Sequence, residues 1–252
     1  MNRNRDLTIY QKDYLSQPYE PIQKMLRKDH LLGWLKKNKL ENGKIMEVGC
    51  SDDSLANYMS DFELFQIIEP GVDFYKKAIH DIKEHKKHRK IKIALSTIEE
   101  FEKSEVEYDI IIVSCLLHEI QDQTLFLNAL GHHMRKNTLL YIDVPNAFSF
   151  HRLLGKELGY IKDIFQKSDT QIKMQQNNVF SEQTLAKLLI NNGFNIIEKG
   201  DYIFKPFTHA QMQLLIDRGI FTEEFLSGLA RMSKYTKGMG SEIYITATYD
   251  LI

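Results

Sequence analysis

The sequence predicts an α/β fold built on a doubly wound, mostly parallel sheet. Short apolar runs alternate with longer amphipathic segments over residues 44–144, which is typical of parallel strands joined by helices. The runs are almost continuously apolar, as expected of strands that are covered on both faces. Right-handed crossovers between such strands produce a doubly wound sheet.

Seven segments have the β-branched and aromatic composition of strands. They are Lys44–Val48, Leu64–Glu69, Ile91–Leu95, Tyr108–Ser114, Thr138–Val144, Phe194–Phe204 and Glu242–Tyr249. Helical spacing of apolar residues predicts a second set of segments. They are Pro21–Asn38, Ser54–Ser60, Val72–Glu84, Gln121–Lys136 and Ser181–Asn192, the last with Ser181 as N-cap and Gly193 as its stop.

The remaining segments define the domain organisation. Residues 1–43 are predicted to form an N-terminal arm and helix, and residues 44–252 a single domain. Two insertions interrupt that domain: residues 145–178, which are polar and irregular, and residues 205–240, which are mostly helical. The apolar positions of 208–236 fit either the core of a lid or the contact of a homodimer, and the sequence leaves both open.

Composition limits the classes of partner. The chain has 252 residues, 43% of them hydrophobic, and a net charge of −1, so neither nucleic acid nor an anionic membrane is indicated. Cys50 and Cys115 are far apart and belong to no CxxC pattern, which excludes a disulfide framework and predicts no metal site. No secretory signal or bilayer-spanning run is found, and a cytoplasmic location is expected.

The stretch KIMEVGCSDDSLANYM predicts a ligand site. Its first strand leads directly into Gly49, where a residue without a side chain lets the backbone approach a ligand. Ligands of open α/β sheets bind beyond the carboxyl ends of the strands. Glu69 ends the next strand about 20 positions later, where an acid accepts hydrogen bonds from ribose hydroxyls. A nucleoside-containing cofactor is therefore expected.

The loop composition narrows the choice of cofactor. Dinucleotide folds use G-x-G-x-x-G to seat a pyrophosphate, and here Ser51 and Asp53 stand after Gly49 instead of further glycines. Asp52 and Asp53 are expected to repel a pyrophosphate. A phosphate-free, positively charged ligand fits better, and S-adenosylmethionine has an adenosine, an ammonium and a sulfonium.

Six motifs in order resemble those of the class I S-adenosylmethionine-dependent methyltransferases, in particular the branch that methylates small molecules and sugars. They are MEVGCSDDS, IIEPG, ALSTIEEF, YDIIIVSCLLHEIQD, LLYIDVPNAFSFHRLLG and GFNIIEKGDYIFK. The resemblance covers residues 44–204 and the last strand. It implies a seven-stranded Rossmann-like methyltransferase fold with an N-terminal helical cap and lid insertions over the active site.

The resemblance also implies which residues bind S-adenosylmethionine. They are Glu47, Gly49, Cys50, Ser51, Glu69, Pro70, Thr97, Ile98, Ser114 and Leu116. Ser51 and Asp53 depart from the glycines of the family pattern, and of these Asp53 is expected to tolerate a left-handed backbone. Thr97 stands where the family often has an acid.

Methyl transfer to a hydroxyl requires a base, and the candidates follow the fourth and fifth strands. The candidate catalytic residues are His118, His151 and Asp143, and the candidate acceptor-binding residues are Asn146, Arg152, Tyr160 and Lys205. The leading hypothesis is O-methylation of a small polar acceptor. By resemblance, this is a sugar or sugar nucleotide of a bacterial surface polysaccharide. A phosphate-like or nitrogen acceptor, and a non-catalytic cofactor-binding subunit, are the alternatives.

Overall fold

The structure, a computed structural model, describes residues 6–103 and 105–250. Seven strands form one sheet in the order β3-β2-β1-β4-β5-β7-β6. Their bounds are β1 Lys44–Val48, β2 Leu64–Ile68, β3 Ile91–Ala94, β4 Ile110–Ser114, β5 Leu139–Pro145, β6 Phe194–Tyr202 and β7 Glu242–Tyr249. Strands β1–β5 pair in parallel, and β7 runs antiparallel between β5 and β6. The predicted doubly wound sheet is confirmed.

Nine helices surround this sheet in the described part of the chain. They are α1 Leu7–Leu15, α2 Glu20–Lys37, α3 Val72–Lys83, α4 Gln123–His133, α5 Phe150–Glu157, α6 Asp169–Lys173, α7 Glu182–Asn191, α8 His209–Asp217 and α9 Glu223–Met232. Ser181 caps α7 as predicted, since its hydroxyl accepts from the backbone N–H of Thr184. Among residues 6–103 and 105–250, no helix combines the length and apolar character needed to cross a membrane.

The two faces of the sheet carry separate apolar cores. On one face, α4 and α7 pack against β1, β4, β5 and β7, with Leu127 and Leu189 fully buried. On the other face, Leu31, Trp34 and Leu35 of α2 are buried in one cluster with residues of β1, β2 and β4. Helix α2 therefore belongs to the sheet core, while the boundary proposed between residues 43 and 44 stays a prediction.

The helix predicted at Ser54–Ser60 is wrong. The structure has a single turn of 3-10 helix there, Leu55–Tyr58. The reason lies in the loop before it, because the Glu47 carboxylate accepts from the Ser54 hydroxyl and from the Leu55 backbone N–H, at 3.0 Å for the latter. These bonds hold the chain against the end of β1. The sequence 145–178, predicted as irregular, contains α5 and α6.

Candidate functional site

A cavity of about 1300 Å³ opens at the carboxyl ends of β1, β2 and β4. Its wall also includes residues of α1 and α2, of the 145–178 segment, and of residues 205–211. Pockets for a single small ligand usually have volumes of roughly 300–1000 Å³. This cavity is therefore large enough to hold two ligands side by side.

The loop after β1 comes close to the cavity because of its backbone conformation. Gly49 has a φ of +79°, and a Cβ built on it meets Leu116 Cδ2 at 2.9 Å. Ser51 has a φ of +48°, whereas Asp53 is not among the residues with positive φ. Of the two residues that replace the family glycines, Ser51 is therefore the one in the left-handed conformation and carries that strain. Cys50 is buried between them and lines the cavity.

Glu69 lies just beyond β2 with its carboxylate buried at the cavity. One oxygen accepts from the Gly71 N–H at 2.7 Å and the other from the Ser51 N–H at 3.1 Å. Burial raises the pKa of this carboxyl to about 7, against the effect of these backbone hydrogen bonds. Glu69, which the sequence predicts to bind a ribose, thus connects the loop after β1 to the loop after β2 through these hydrogen bonds.

The aspartates of the first loop are neutralised by α2. Lys24 Nζ lies 2.7 Å from Asp52 Oδ1, and Lys28 forms an ion pair with Asp53. Because each of these carboxylates is paired with a lysine, the expectation that Asp52 and Asp53 repel a pyrophosphate is wrong. The sequence reasoning missed these lysines because they lie on a separate helix, 28 and 25 residues away.

The segment after β3 contains a buried hydroxyl that has no hydrogen-bond partner among the described residues. Thr97 Oγ1 is buried and has no hydrogen bond within the described residues. Thr97, the buried Ile98 and Pro70 all line the cavity. A buried hydroxyl without a partner costs free energy unless a ligand completes it. Thr97 therefore marks a position where a polar ligand group fits.

Asp143 lies beneath the cavity. It is fully buried and does not line the cavity, and it accepts from the Ser114 hydroxyl at 3.0 Å and from the Cys115 N–H at 2.7 Å. Burial, followed by the nearby Glu242 carboxylate, raises its pKa to about 7. These bonds order the end of β4, where Cys115 has a φ of +52°.

The two candidate histidines have different surroundings. His118 is buried at the cavity wall; its Nε2 lies 3.8 Å from Glu119 Oε1, and its carbonyl accepts from the N–H groups of Asn177 and Asn178. His151 lines the same cavity, and its Nδ1 is buried without a hydrogen-bond partner in the part of the chain that the structure describes. Burial, followed by repulsion from Lys205, lowers the pKa of His151 well below its usual value. His151 is therefore neutral near pH 7.

The comparison with protein families shows which family the chain belongs to. Residues 19–199 match the family described as "Methyltransferase domain", which is more than half of the chain. The chain belongs to this methyltransferase family. It is an enzyme whose cofactor is S-adenosylmethionine. No curated protein sequence matches it.

Solved structures agree on the fold of the methyltransferase. An S-adenosylmethionine-dependent methyltransferase from Clostridium acetobutylicum has a TM-score of 0.58 at 12% identity, covering 90% of this chain and 92% of that one. A possible histamine N-methyltransferase from Thermotoga maritima has 0.57 at 16%, covering 90% and 92%. The N-methyltransferase NodS from Bradyrhizobium japonicum, in complex with S-adenosyl-L-homocysteine, has 0.54 at 12%, covering 94% and 90%. At these identities the likeness concerns the fold alone.

The residues at the strand ends of this methyltransferase fit its cofactor. A Cβ on Gly49 would meet Leu116 Cδ2 at 2.9 Å, so only a glycine allows this close approach, and Thr97 Oγ1 is buried without a hydrogen-bond partner among residues 6–103 and 105–250. Glu69 offers a buried carboxylate at the end of β2. Together they supply the donor and acceptor groups that an adenosine requires.

A buried polar network of the methyltransferase was missed by the sequence reasoning. Arg27 of α2 donates to both oxygens of Glu242, at 2.8 Å from Nε and 2.7 Å from Nη2, and Tyr202 donates to the same carboxylate at 3.0 Å. Gln23 donates to Glu242 at 2.7 Å and accepts from Lys205 at 3.0 Å. No local pattern reveals this network, because Arg27 and Glu242 are 215 residues apart in the sequence.

The other predicted acceptor residues have contrasting environments. The Arg152 guanidinium donates to the carbonyls of Ile164 and Gln166 and to the Gln171 side chain, so its donors fasten the 145–178 segment. Asn146 donates to the carbonyls of Gly238 and Gly240. Tyr160 lines the cavity with 78% of its surface exposed. Only Lys205, of the four predicted, brings a buried charge to the cavity.

Helix α1 covers part of the cavity. Leu7, Tyr10, Gln11 and Tyr14 line it, and Tyr10 donates to Glu119 at 3.1 Å. Tyr10 and Tyr14 also pack against Phe74 of α3. The N-terminal residues therefore contribute to the enclosure of the ligands.

Proposed function

We propose that this methyltransferase methylates a hydroxyl group of a small polar acceptor, with His151 as the general base. The supporting observation is the buried Nδ1 of His151, which has no hydrogen-bond partner among residues 6–103 and 105–250 although His151 lines the cavity. A buried nitrogen without a partner is costly and is retained where a ligand completes it. A neutral imidazole in that position accepts a proton.

The cofactor-binding role is assigned to the residues at the strand ends. Glu69 accepts from the ribose hydroxyls, Thr97 binds the adenine edge, and the backbone at Gly49 lies against the cofactor. Glu47, Cys50, Ser51, Pro70, Ile98, Ser114 and Leu116 are proposed to complete this side of the site. When bound, S-adenosylmethionine supplies an electrophilic methyl group on its sulfonium.

The acceptor side is proposed to work by orientation and proton removal. His151 Nδ1 takes the proton of the acceptor hydroxyl; burial, followed by Lys205, His209 and Arg152, keeps the imidazole neutral before the reaction, and the same causes oppose the imidazolium that forms. A positioned base contributes roughly 10²–10⁴-fold to the rate when its pKa lies near the operating pH, so a low pKa places His151 toward the lower end of that range. Asp143 is proposed to position β4 through Ser114 and Cys115, without contact with the acceptor. His118 is proposed to shape the wall.

The proposed acceptor class is a sugar or sugar nucleotide of a bacterial surface polysaccharide, on the resemblance to the sugar-methylating branch. The polar wall formed by Gln23, Lys205 and His209 is compatible with a polyol. The proposed location is the cytoplasm, and homodimer formation stays a prediction. A nitrogen acceptor is the alternative, since an unprotonated amine needs no base; two of the three structures above are described as N-methyltransferases.

The test begins with calorimetric titration of S-adenosylmethionine and S-adenosylhomocysteine, with NAD as the control ligand. Methyl transfer from radiolabelled S-adenosylmethionine is then measured on monosaccharides, sugar nucleotides and amines. We expect His151→Ala to lower kcat on a hydroxyl acceptor by roughly 10²–10⁴-fold with unchanged cofactor affinity. His80→Ala, at an exposed histidine of α3, is the matched control. Full activity of His151→Ala, or activity on amines only, rejects the proposed reaction.

A further inference from the structure

Lys205 is a buried cation without an ion-pair partner. Its side chain lines the cavity with 4% of the residue exposed, and its ammonium donates to Gln23 Oε1 at 3.0 Å. Among residues 6–103 and 105–250, no carboxylate oxygen lies within 4.0 Å of its Nζ. Burial of a charge is expensive unless it is paired, and an ammonium has more donors than this single bond uses.

The orientation of Gln23 makes this wall a donor surface. Its Nε2 donates to Glu242, so the amide oxygen must point the other way. That oxygen accepts from Lys205 and lies 2.8 Å from His209 Nε2, which therefore carries the hydrogen of that bond. Two donors therefore bind the Gln23 amide oxygen, which leaves it no role as an acceptor for a ligand. The polar group that this part of the wall offers to a ligand is the ammonium of Lys205.

The acidic groups nearby are engaged by Arg27. Glu242 pairs with Arg27 at 2.7 Å, and Glu20 lies 3.5 Å from the same guanidinium. Burial lowers the pKa of Lys205 to about 8, against the attraction of these two carboxylates. The groups nearby also include His151, His209 and Cys115, and the Arg152 guanidinium is hydrogen-bonded within the 145–178 segment. Lys205 is thus the cation that this wall leaves available to a ligand.

We propose that the acceptor carries an anionic group, a carboxylate or a phosphate, which pairs with Lys205. This inference rests on the proposed function, because the anionic group belongs to the molecule that is methylated. An anion site at Lys205 favours sugar acids, sugar phosphates and sugar nucleotides over neutral sugars as the methyl acceptor. Lysine binds such groups as a point charge at the end of a flexible stem, and the Gln23 bond fixes that stem here.

The test uses simple anions on protein that is saturated with S-adenosylhomocysteine. The ring signals of His209 and His151 are followed by NMR while inorganic phosphate or acetate is added, with glycerol as the neutral probe at constant ionic strength. Lys205→Met removes the charge at similar volume, and Lys162→Met, the control, removes an exposed charge next to Ile161 in the sequence. We expect saturable shifts in the unmodified protein and in Lys162→Met, and at least tenfold weaker binding in Lys205→Met.

The outcomes separate this inference from the proposed function. Saturation by phosphate alone identifies a phosphate-bearing acceptor, and saturation by acetate as well identifies a carboxylate site. Equal binding in Lys205→Met, or no saturable shift in the unmodified protein, overturns the anion site even when S-adenosylhomocysteine binds normally. Failure to bind S-adenosylhomocysteine appears in the first step of the titration and counts against the cofactor site instead.

Discussion

Substitution of Glu69 by Gln tests whether the buried Glu69 carboxylate lowers the free energy of unfolding of the protein. Burial raises the pKa of Glu69 from 4.5 to about 7 in the folded protein. Its stabilising contribution is therefore fully present below the unfolded pKa and is lost as the pH rises through about 7. At about 1.4 kcal/mol per pKa unit, the full difference is roughly 3 kcal/mol, of which about 2.5 kcal/mol falls between pH 5 and pH 8.

The substitution Glu69→Gln removes this pH dependence and adds a constant cost. The amide has one acceptor oxygen, so one of the two backbone donors, on Gly71 or Ser51, loses its partner, at roughly 1–3 kcal/mol. That cost is the same at every pH. We therefore expect the free energy of unfolding of the variant, minus that of the unmodified protein, to rise by about 2.5 kcal/mol from pH 5 to pH 8.

The measurement is denaturant unfolding at several pH values without cofactor, together with calorimetric titration of S-adenosylhomocysteine. Glu84→Gln, at the exposed end of α3, is the control variant that removes one charge elsewhere. Loss of S-adenosylhomocysteine binding is expected in Glu69→Gln only. Parallel stability curves for Glu69→Gln and the unmodified protein would refute the reasoning about burial, and unchanged binding would refute the cofactor role.

Two further predictions concern the buried network and the adenine side. Arg27→Met leaves Glu242 as a buried charge whose hydrogen-bond donors are all neutral. We expect denaturant unfolding to show a loss of about 3–5 kcal/mol in the free energy of unfolding, most of which is recovered when Glu242→Gln is added. If the second substitution does not recover the loss, the pairing of Arg27 with Glu242 is not its cause. Thr97→Val removes a hydroxyl that has no protein partner, so stability should be unchanged while calorimetry shows affinity for S-adenosylhomocysteine lowered by roughly fivefold to tenfold. Unchanged affinity would remove Thr97 from the site.

The sheet could be predicted because each strand carries its own signal. Runs such as Ile110–Ser114 are apolar on both faces, and a run of that kind is stable only when it is covered from both sides. The position of Gly49 and Glu69 at the cavity could be predicted for a related reason. Each follows directly from a strand end, so a prediction of the strand places the residue at the edge of the sheet.

The remainder of the site depends on contacts between distant parts of the chain. The apolar residues of the segment after β1 have helical spacing. The hydrogen bonds from Ser54 and Leu55 to Glu47 nevertheless hold this segment in a conformation with only one turn of 3-10 helix. The charge of Asp52 is cancelled by Lys24 of another helix. Neither effect is visible in a local pattern, because in both cases a tertiary contact overrides the local preference.

Helix α2 links the two halves of the site through its own periodicity. Lys24 and Lys28 are four residues apart and pair with the loop after β1, while Gln23 and Arg27, also four apart, bind Glu242, and Gln23 also accepts from Lys205. Its later turns bury their apolar residues in the core of the sheet. A helix fixed at one end by the core and contacting both ligand regions at the other positions them relative to each other. Helix α2 therefore contacts both the loop after β1 and Lys205 at the opposite part of the cavity wall, and together with α1 it forms part of that wall.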